Sequence, residues 1–360
     1  MKEGKGRKVI VGMSGGVDSS VCALLLRDRG YDVIGVTYDF WHDDDDPEDI
    51  YRNLSDASEA KAVCDVLGIP HYAINRTGLF REKVQERFVS EYLAGRTPNP
   101  CIMCNPAVKW AAMLEDADAM GAELVSSGHY ARTVKLENGR YSVKNSVTSK
   151  KDQTYVLCRL TQEQLARTIF PIGDYDKEEI RRIAAEAALP VAAKKDSQDV
   201  CFIGPAGYAD YIRQKAGSTG TPGVFVTTDG RVLGPHKGTA CYTVGQRRGL
   251  GLALEASVYV MSIDTVSGDV VLGSDEELYT GSLEAEDISY VGVSRFDESA
   301  VYTAKIRYSQ KTSKCRVEYT GDDSIRVIFE EKVRAATPGQ SLVLYCDDWV
   351  AGGAAIKRSL

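Results

Sequence analysis

Apolar residues fall in short unbroken runs in the first third of the chain and in strict alternation near its carboxyl end. Each pattern predicts a different architecture. Val9-Ile10-Val11 reads as a buried strand, after which Val17, Val21, Leu24 and Leu25 recur at helical spacing as far as Gly30. Residues 31–38 read as a second strand. The Asp56-x-x-Glu59 pattern opens a helix running through Val66 to Gly68, residues 70–74 form a strand, and residues 80–93 form a long helix stopped by Gly95. A loop, Thr97-Pro98-Asn99-Pro100, delivers the Cys101/Cys104 pair just before a helix over 108–120, and residues 123–127 form the next strand. Strands alternating with helices predict an α/β fold with a doubly wound parallel sheet. Asn138-Gly139 predicts a hairpin between 133–136 and 141–143, and helical patterns follow at 162–168 and 177–187. From about residue 206, glycine- and threonine-rich turns separate short strands. After about residue 285 the alternation in Val301 to Tyr308 and Cys315 to Tyr319 predicts a small antiparallel β-barrel.

Length and composition narrow the class. A chain of 360 residues is expected to hold two or three domains. Its first eight residues are basic but precede only a short apolar run, which reads as neither secretion signal nor membrane anchor. The chain therefore reads as cytoplasmic, with no membrane partner. Nine cysteines, an odd number on a long chain, argue for reduced thiols rather than a disulfide framework. Cys101-Ile102-Met103-Cys104 is the one closely spaced pair, and His42, His71, His129 and His236 make no zinc pattern with it, so no metal ligand set is assigned.

Net charge is −7, which alone argues against a nucleic-acid partner. Asp39, Asp43, Asp44, Asp45, Asp46, Glu48 and Asp49 account for that whole imbalance, leaving a remainder able to present a basic face. The run itself reads as a solvated loop without a calcium-binding pattern.

Candidate chemistry concentrates in the turn after the first strand. Gly12-Met13-Ser14-Gly15-Gly16-Val17-Asp18-Ser19 places glycines where backbone N–H groups and a helix start can hold an anion. The turn lacks the Gly-Lys-Ser/Thr ending of a Walker loop, which favours cleavage beside the α-phosphate with pyrophosphate left in the loop. Gly128-His129 ends a parallel strand, where open α/β sheets bind ligands.

Ser14-Gly15-Gly16-Val17-Asp18-Ser19 resembles the loop of the pyrophosphate-loop ATPases, which adenylate an oxygen and let a nucleophile displace AMP. Further stretches extend the likeness: Asn99-Pro100-Cys101-Ile102-Met103-Cys104-Asn105, Ser127-Gly128-His129-Tyr130, Lys151-Asp152-Gln153-Thr154-Tyr155, Asp196 to Gly204, and Tyr242 to Gly251. Together they resemble the tRNA-specific 2-thiouridylases in order from residue 9 to about 355. The resemblance implies a catalytic ATP-binding domain over 1–205, a small central β-rich domain over 206–282, and a carboxyl-terminal tRNA-binding barrel over 283–360. The implied substrate is the wobble uridine of the tRNAs for Lys, Glu and Gln. Oxygen at carbon 2 of uracil is a poor leaving group, so ATP activates it and sulfur then arrives as a nucleophile.

By resemblance, Cys201 carries a persulfide received from a cysteine desulfurase or sulfur-relay protein. Cys104 is the thiol that attacks it, releasing hydrosulfide or closing a Cys104–Cys201 disulfide. Lys194 and Lys195 precede Cys201 and lower its pKa if they fold beside it. ATP, with magnesium, is implied at Gly12, Met13, Ser14, Gly15, Gly16, Val17, Asp18, Ser19, at the backbone near Thr37 and Tyr38, and at Gly128. Asn99, Pro100, Cys101, His129, Lys151, Asp152, Gln153, Arg307, Tyr308 and Gln340 match tRNA contacts.

The chain departs from the family pattern in two places. Cys101 stands where Asp is common, which adds a third thiol and opens an alternative in which Cys101, Cys104 and Cys201 hold an iron–sulfur cluster. Pro106 replaces a common lysine. A second alternative is another adenylating synthetase on the same loop. Cys22, Cys64, Cys158, Cys241, Cys315 and Cys346 read as structural.

Overall fold

A computed structural model describes residues 3–42, 46–195, 200–253 and 256–360. The chain forms two compact units. One comprises Met1–Val84, Ile102–Gln198 and Asp348–Val350; the other comprises Gln85–Cys101, Asp199–Asp347 and Ala351–Leu360.

The first unit begins with β1 (Lys8–Gly12), α1 (Val17–Asp28), β2 (Asp32–Asp39), α2 (Pro47–Asn53), α3 (Ser55–Leu67), β3 (His71–Asn75) and α4 (Thr77–Phe80), which runs on into a π-helical turn over Arg81–Glu86. α5 (Arg87–Leu93) belongs to the second unit. α6 (Pro100–Cys104), a π-helical stretch over Asn105–Trp110 and α7 (Ala111–Met120) make one continuous helical run. Pro106 lies inside the widened stretch, where its missing N–H removes one rung of the ordinary ladder. β4 (Leu124–Ser127), the hairpin β5 (Ala131–Lys135) and β6 (Tyr141–Asn145), α8 (Gln162–Ala166), β7 (Thr168–Ile169) and α9 (Lys177–Glu186) complete the unit, with Trp349 pairing against Lys144. Its sheet has the order β3-β2-β1-β4-β7, every pair parallel. Val9 and Val11 point to the face covered by α1, α3 and α9, where Val21, Leu24, Val63, Ile180 and Ala184 are buried. Ile10 and Gly12 alternate to the other face, and a Cβ on Gly12 would sit 3.1 Å from Met113 of α7. Helices therefore cover both faces, as the unbroken apolar strands require.

The second unit holds α5, α10 (Tyr208–Ala216) and two β systems. β8 (Val224–Thr227), β9 (Val232–Pro235), β10 (Tyr259–Ile263) and β11 (Val270–Gly273) form a four-stranded sheet over Phe225, Tyr242, Val260 and Leu272. β12 (Tyr279–Tyr290), β13 (Tyr302–Lys305), β14 (Ser313–Gly321), β15 (Ser324–Arg334), β16 (Ser341–Cys346) and β17 (Trp349–Ser359) follow in the order β12-β15-β14-β13-β16-β17. β12 also pairs with β17, closing a six-stranded barrel without free edges.

Four local expectations need correction. Cys101 and Cys104 do not merely precede the helix expected at 108–120: both lie on α6, and the helical run begins at Pro100. α10 stands where only strands were expected. Asp56 and Glu59 do not cap α3, whose N-cap is Leu54 without a side-chain bond; both carboxylates instead bind Lys194. The acidic run is not one solvated loop: Asp39 is fully buried and accepts from Trp41 N at 2.8 Å and His42 Nδ1 at 2.9 Å. Asp46 caps α2 through Glu48 N at 2.9 Å, and Glu48 and Asp49 fill its first turn, where the helix dipole favours acids. Asp43, Asp44 and Asp45 lie outside the described residues.

Candidate functional site: a nucleotide loop and two thiol segments

In the first unit, β1 ends at the centre of the sheet and the chain turns through Met13–Gly16 into α1. Thr37 Oγ1 donates to Met13 O at 2.8 Å, and Met13 N donates to Val36 O at 2.7 Å, which fixes the start of the turn to β2. Ser14 N donates to Ser19 Oγ at 3.1 Å, and Ser20 Oγ donates to Gly16 O at 2.8 Å. The N-cap, Gly16, has no side chain to accept from the first turn of α1, which leaves that helix start for an anion.

Two glycines make the turn this tight. Gly15 has φ +63°, and a Cβ there would lie 2.6 Å from the Asp56 carbonyl oxygen. Gly128, just beyond β4, would place a Cβ 2.5 Å from Ser19 N.

Charge around the loop is arranged in two groups. Asp18 accepts from Lys177 Nζ at 2.8 and 2.9 Å and from the Tyr130 hydroxyl at 2.8 Å. Lys194 Nζ donates to Gly15 O at 3.1 Å, to Asp56 Oδ1 at 2.9 Å and to Glu59 Oε2. Lys194 is thus bound to the loop and its flanking carboxylates.

At the strand ends, Tyr38 donates to Asp116 Oδ2 at 2.7 Å, and burial together with that carboxylate pushes its phenol well above the usual tyrosine range. His129 Nδ1 lies 2.8 Å from Ser127 Oγ, and its ring packs beside Trp110 and Phe170. Burial, aided by Lys109, pulls its pKa down to about 3. At neutral pH His129 is therefore an uncharged ring, suited to stacking or neutral hydrogen bonding but not to holding a phosphate by charge.

Gln153 and Tyr130 bond in both directions: Tyr130 N donates to Gln153 Oε1 at 2.9 Å, and Gln153 N donates to Tyr130 O at 2.9 Å. Asp152 is buried and accepts from Ser146 N at 2.9 Å and Thr154 N at 3.2 Å, so its carboxylate shapes this turn.

The thiols differ in setting. Asn99 Oδ1 accepts from Cys101 N at 3.1 Å, and Pro100 is the first residue of α6, a pairing suited to starting a helix. On that helix Cys101 is exposed and Cys104 buried. Cys201 is exposed, and its neighbour Phe202 is anchored in the second unit by edge-on contacts with Phe88 at 5.1 Å and Tyr211 at 5.2 Å. Asp196, Ser197, Gln198 and Asp199 of the Cys201 motif lie outside the described residues. Burial pushes Cys22, Cys64, Cys158 and Cys315 each up to about 12 and Cys346 to about 11, and raises Cys241, which favours the protonated thiol at each position.

Three family models match in succession: a tRNA methyl transferase HUP domain over residues 7–205, a PRC-barrel domain of the same name over 209–274, and an aminomethyltransferase beta-barrel domain over 280–356. The tRNA-specific 2-thiouridylase MnmA of Clostridioides difficile (strain 630) is 45% identical over 357 residues, covering 98% of this chain and 99% of that protein. The enzyme of the same name from Lachnoclostridium phytofermentans is 46% identical over 357 residues, covering 98% of this chain and all of that one. The chain belongs to the tRNA-specific 2-thiouridylase family.

Of the family-matched positions, Gly12 to Ser19, Tyr38, Gly128, His129, Lys151, Asp152, Gln153 and Cys104 lie in the first unit. Asn99, Pro100, Cys101, Cys201, Arg307, Tyr308 and Gln340 lie in the second. There, Gln340 Nε2 donates to Thr97 O at 2.7 Å, and Thr97 N donates to Pro338 O at 2.8 Å, so a barrel loop grips the backbone leading into α6. Arg307 and Tyr308 follow β13, with Tyr308 exposed.

Sequence reading missed Lys177 and Tyr130 as partners of Asp18. One signal was present for Lys177: a lysine on the first residue of a helix opposes the helix dipole, an arrangement that calls for an anion close by.

Proposed function

We propose that this chain replaces the 2-oxygen of the wobble uridine with sulfur in the tRNAs for Lys, Glu and Gln, using ATP and releasing AMP and pyrophosphate. The observation that carries the reading is the uncapped start of α1 beside two glycines that tolerate no side chain, on a chain that also presents Cys104 and Cys201. Backbone N–H groups of the turn hold the phosphates, while the uridine 2-oxygen attacks the α-phosphorus. The bond between the α- and β-phosphates breaks and pyrophosphate leaves. Asp18 is the carboxylate of the loop that a magnesium ion shared with the phosphates would draw upon, and that ion neutralises phosphate charge when bound.

Sulfur transfer follows. The terminal sulfur of a Cys201 persulfide attacks carbon 2, the bond from carbon 2 to oxygen breaks, and AMP departs with that oxygen. Cys104 then attacks Cys201 Sγ, so that the sulfur–sulfur bond breaks, the new sulfur stays on the base, and a Cys104–Cys201 disulfide forms. An external thiol supplies the two electrons that reopen it, and a cysteine desulfurase or relay protein reloads Cys201. Asn99, Cys101, His129, Lys151, Gln153, Arg307, Tyr308 and Gln340 line the tRNA path in this reading, with residues 1–205 as catalytic part, 206–282 as central part and 283–360 as RNA-binding barrel. The reaction is assigned to the cytoplasm. Among the described residues no helix is long and apolar enough to cross a membrane.

An iron–sulfur cluster on Cys101, Cys104 and Cys201 would supply hydrosulfide instead. Among the described residues no group of three or more His, Cys, Asp or Glu side chains is placed to hold a metal ion, so no step is derived through a cluster.

The Cys201→Ser variant tests the proposal. Loss of 2-thiouridine with tRNA-dependent release of AMP and pyrophosphate still measurable is the expected result; undiminished thiolation by that variant removes Cys201 from the reaction.

A further inference from the structure

Among the described residues two lysines, Lys177 and Lys194, reach the nucleotide loop, and they are held differently. Lys194 is bound by two carboxylates, Asp56 and Glu59, and by the loop carbonyl of Gly15, a set that fastens α3 to the turn. Lys177 places its ammonium on both oxygens of Asp18, the one carboxylate inside the loop motif. Asp18 is the second residue of α1, beside the uncapped helix start. The Lys177 side chain is only 15% exposed, and it projects from the first residue of α9, where Asp176 and Glu179 already satisfy the helix start through a reciprocal cap. A lysine ammonium is a compact point charge with three donors, the kind of group that serves phosphate oxygens.

Entry of a triphosphate changes this balance, because several negative charges arrive beside a carboxylate. The loop must then present a cation, and Lys177 is already within bonding distance of the loop's own acid. We infer that Lys177 is a phosphate-binding residue of the nucleotide site, held by Asp18 in the free protein and transferred to the β- and γ-phosphate oxygens when ATP with its magnesium engages Asp18. Tyr130, which donates to the same carboxylate, keeps Asp18 in place during the exchange. This inference rests on the ATP-site reading above.

The test is calorimetric titration of the full-length protein, with magnesium, against ATP, pyrophosphate and AMP in turn. Lys177→Gln should weaken ATP and pyrophosphate by about 10- to 100-fold, the loss of one charge-assisted hydrogen bond, and leave AMP within about twofold. Lys177→Arg should retain most of the affinity for ATP. An equal loss for all three ligands would make Lys177 structural, and no loss for ATP or pyrophosphate would overturn the inference outright. Wild-type protein that binds neither ATP nor pyrophosphate would instead sink the ATP-site reading. Since Lys177→Gln takes from Asp18 its one cation among the described residues and leaves that carboxylate to the Tyr130 hydroxyl, the Asp18→Asn/Lys177→Gln double variant is titrated beside the single Asp18→Asn variant, where no bare carboxylate remains to weaken the fold. The added lysine change should still lower affinity for pyrophosphate relative to AMP, and its failure to do so refutes the assignment.

Discussion

Replacing Gly128 by Ala adds a single methyl group where β4 meets the first turn of α1. The new Cβ would lie 2.5 Å from Ser19 N and 2.7 Å from the Asp18 carbonyl carbon, whereas ordinary contact begins at 3.4 Å. Both neighbours are backbone atoms, so no side chain can rotate away, and α1 and β4 must separate by about 0.9 Å at this point. Overpacking of this kind costs about 1–3 kcal/mol of stability. Its effect on the reaction should be larger in proportion, because the displaced atoms belong to the turn that holds the phosphates, and a misplacement of roughly 1 Å can lower a rate by about 100-fold. The assay is tRNA-dependent pyrophosphate release at saturating tRNA, with urea unfolding alongside. Gly78→Ala is the control, since a Cβ there meets nothing within 4 Å. If Gly128→Ala keeps wild-type kcat/KM for ATP and an unshifted urea midpoint, the close approach of Gly128 to α1 does not shape the nucleotide site.

Two further outcomes are expected. Cys101→Asp, which removes one of the three thiols, should keep thiolation activity in iron-free protein; an inactive variant that has also lost stoichiometric iron would reinstate the cluster. His71 and His129 are held neutral by burial, with pKa values lowered to about 4 and about 3 from 6.5. The unfolded chain therefore binds more protons below pH 6.5, and stability should fall as pH drops from about 6.5 towards 4, with the His129 contribution continuing towards 3. Urea midpoints measured across that range should flatten in His129→Gln, and an identical slope in the variant refutes the burial argument.

The parallel sheet was legible because fully buried strands such as Val9-Ile10-Val11 leave an unbroken apolar run, and the barrel because half-buried strands such as β13 alternate. The turn at Gly12 to Ser19 was legible for a different reason: the chemistry of phosphate binding restricts residue types over consecutive positions. Contacts between distant segments were not. Asp56 and Glu59 have the spacing of a helix cap, but Lys194, 138 and 135 residues away, takes both carboxylates, and a long-range ion pair leaves no local pattern. Asn99-Pro100 carries the ordinary signals of a helix start, yet two prolines within Thr97-Pro98-Asn99-Pro100 read equally well as a loop. α10 was missed because its apolar positions are mostly aromatic and match those of α5: Tyr208 and Ile212 pack with Phe88 and Tyr92.

The discontinuous make-up of the second unit governs when this protein can fold during synthesis. Residues 85–101 leave the ribosome early, but the partners of Phe88 and Tyr92 lie at 208–212, and the carbonyl and amide that hold Thr97 lie on Pro338 and Gln340. At about 5–20 residues per second, the interval between Thr97 and Pro338 is roughly ten to fifty seconds. Throughout it the approach to Cys101 lacks its final backbone partners. A nascent or prematurely ended chain that stops short of Pro338 cannot make the two bonds that hold Thr97, so the segment carrying Cys101 reaches its finished setting only when the barrel does.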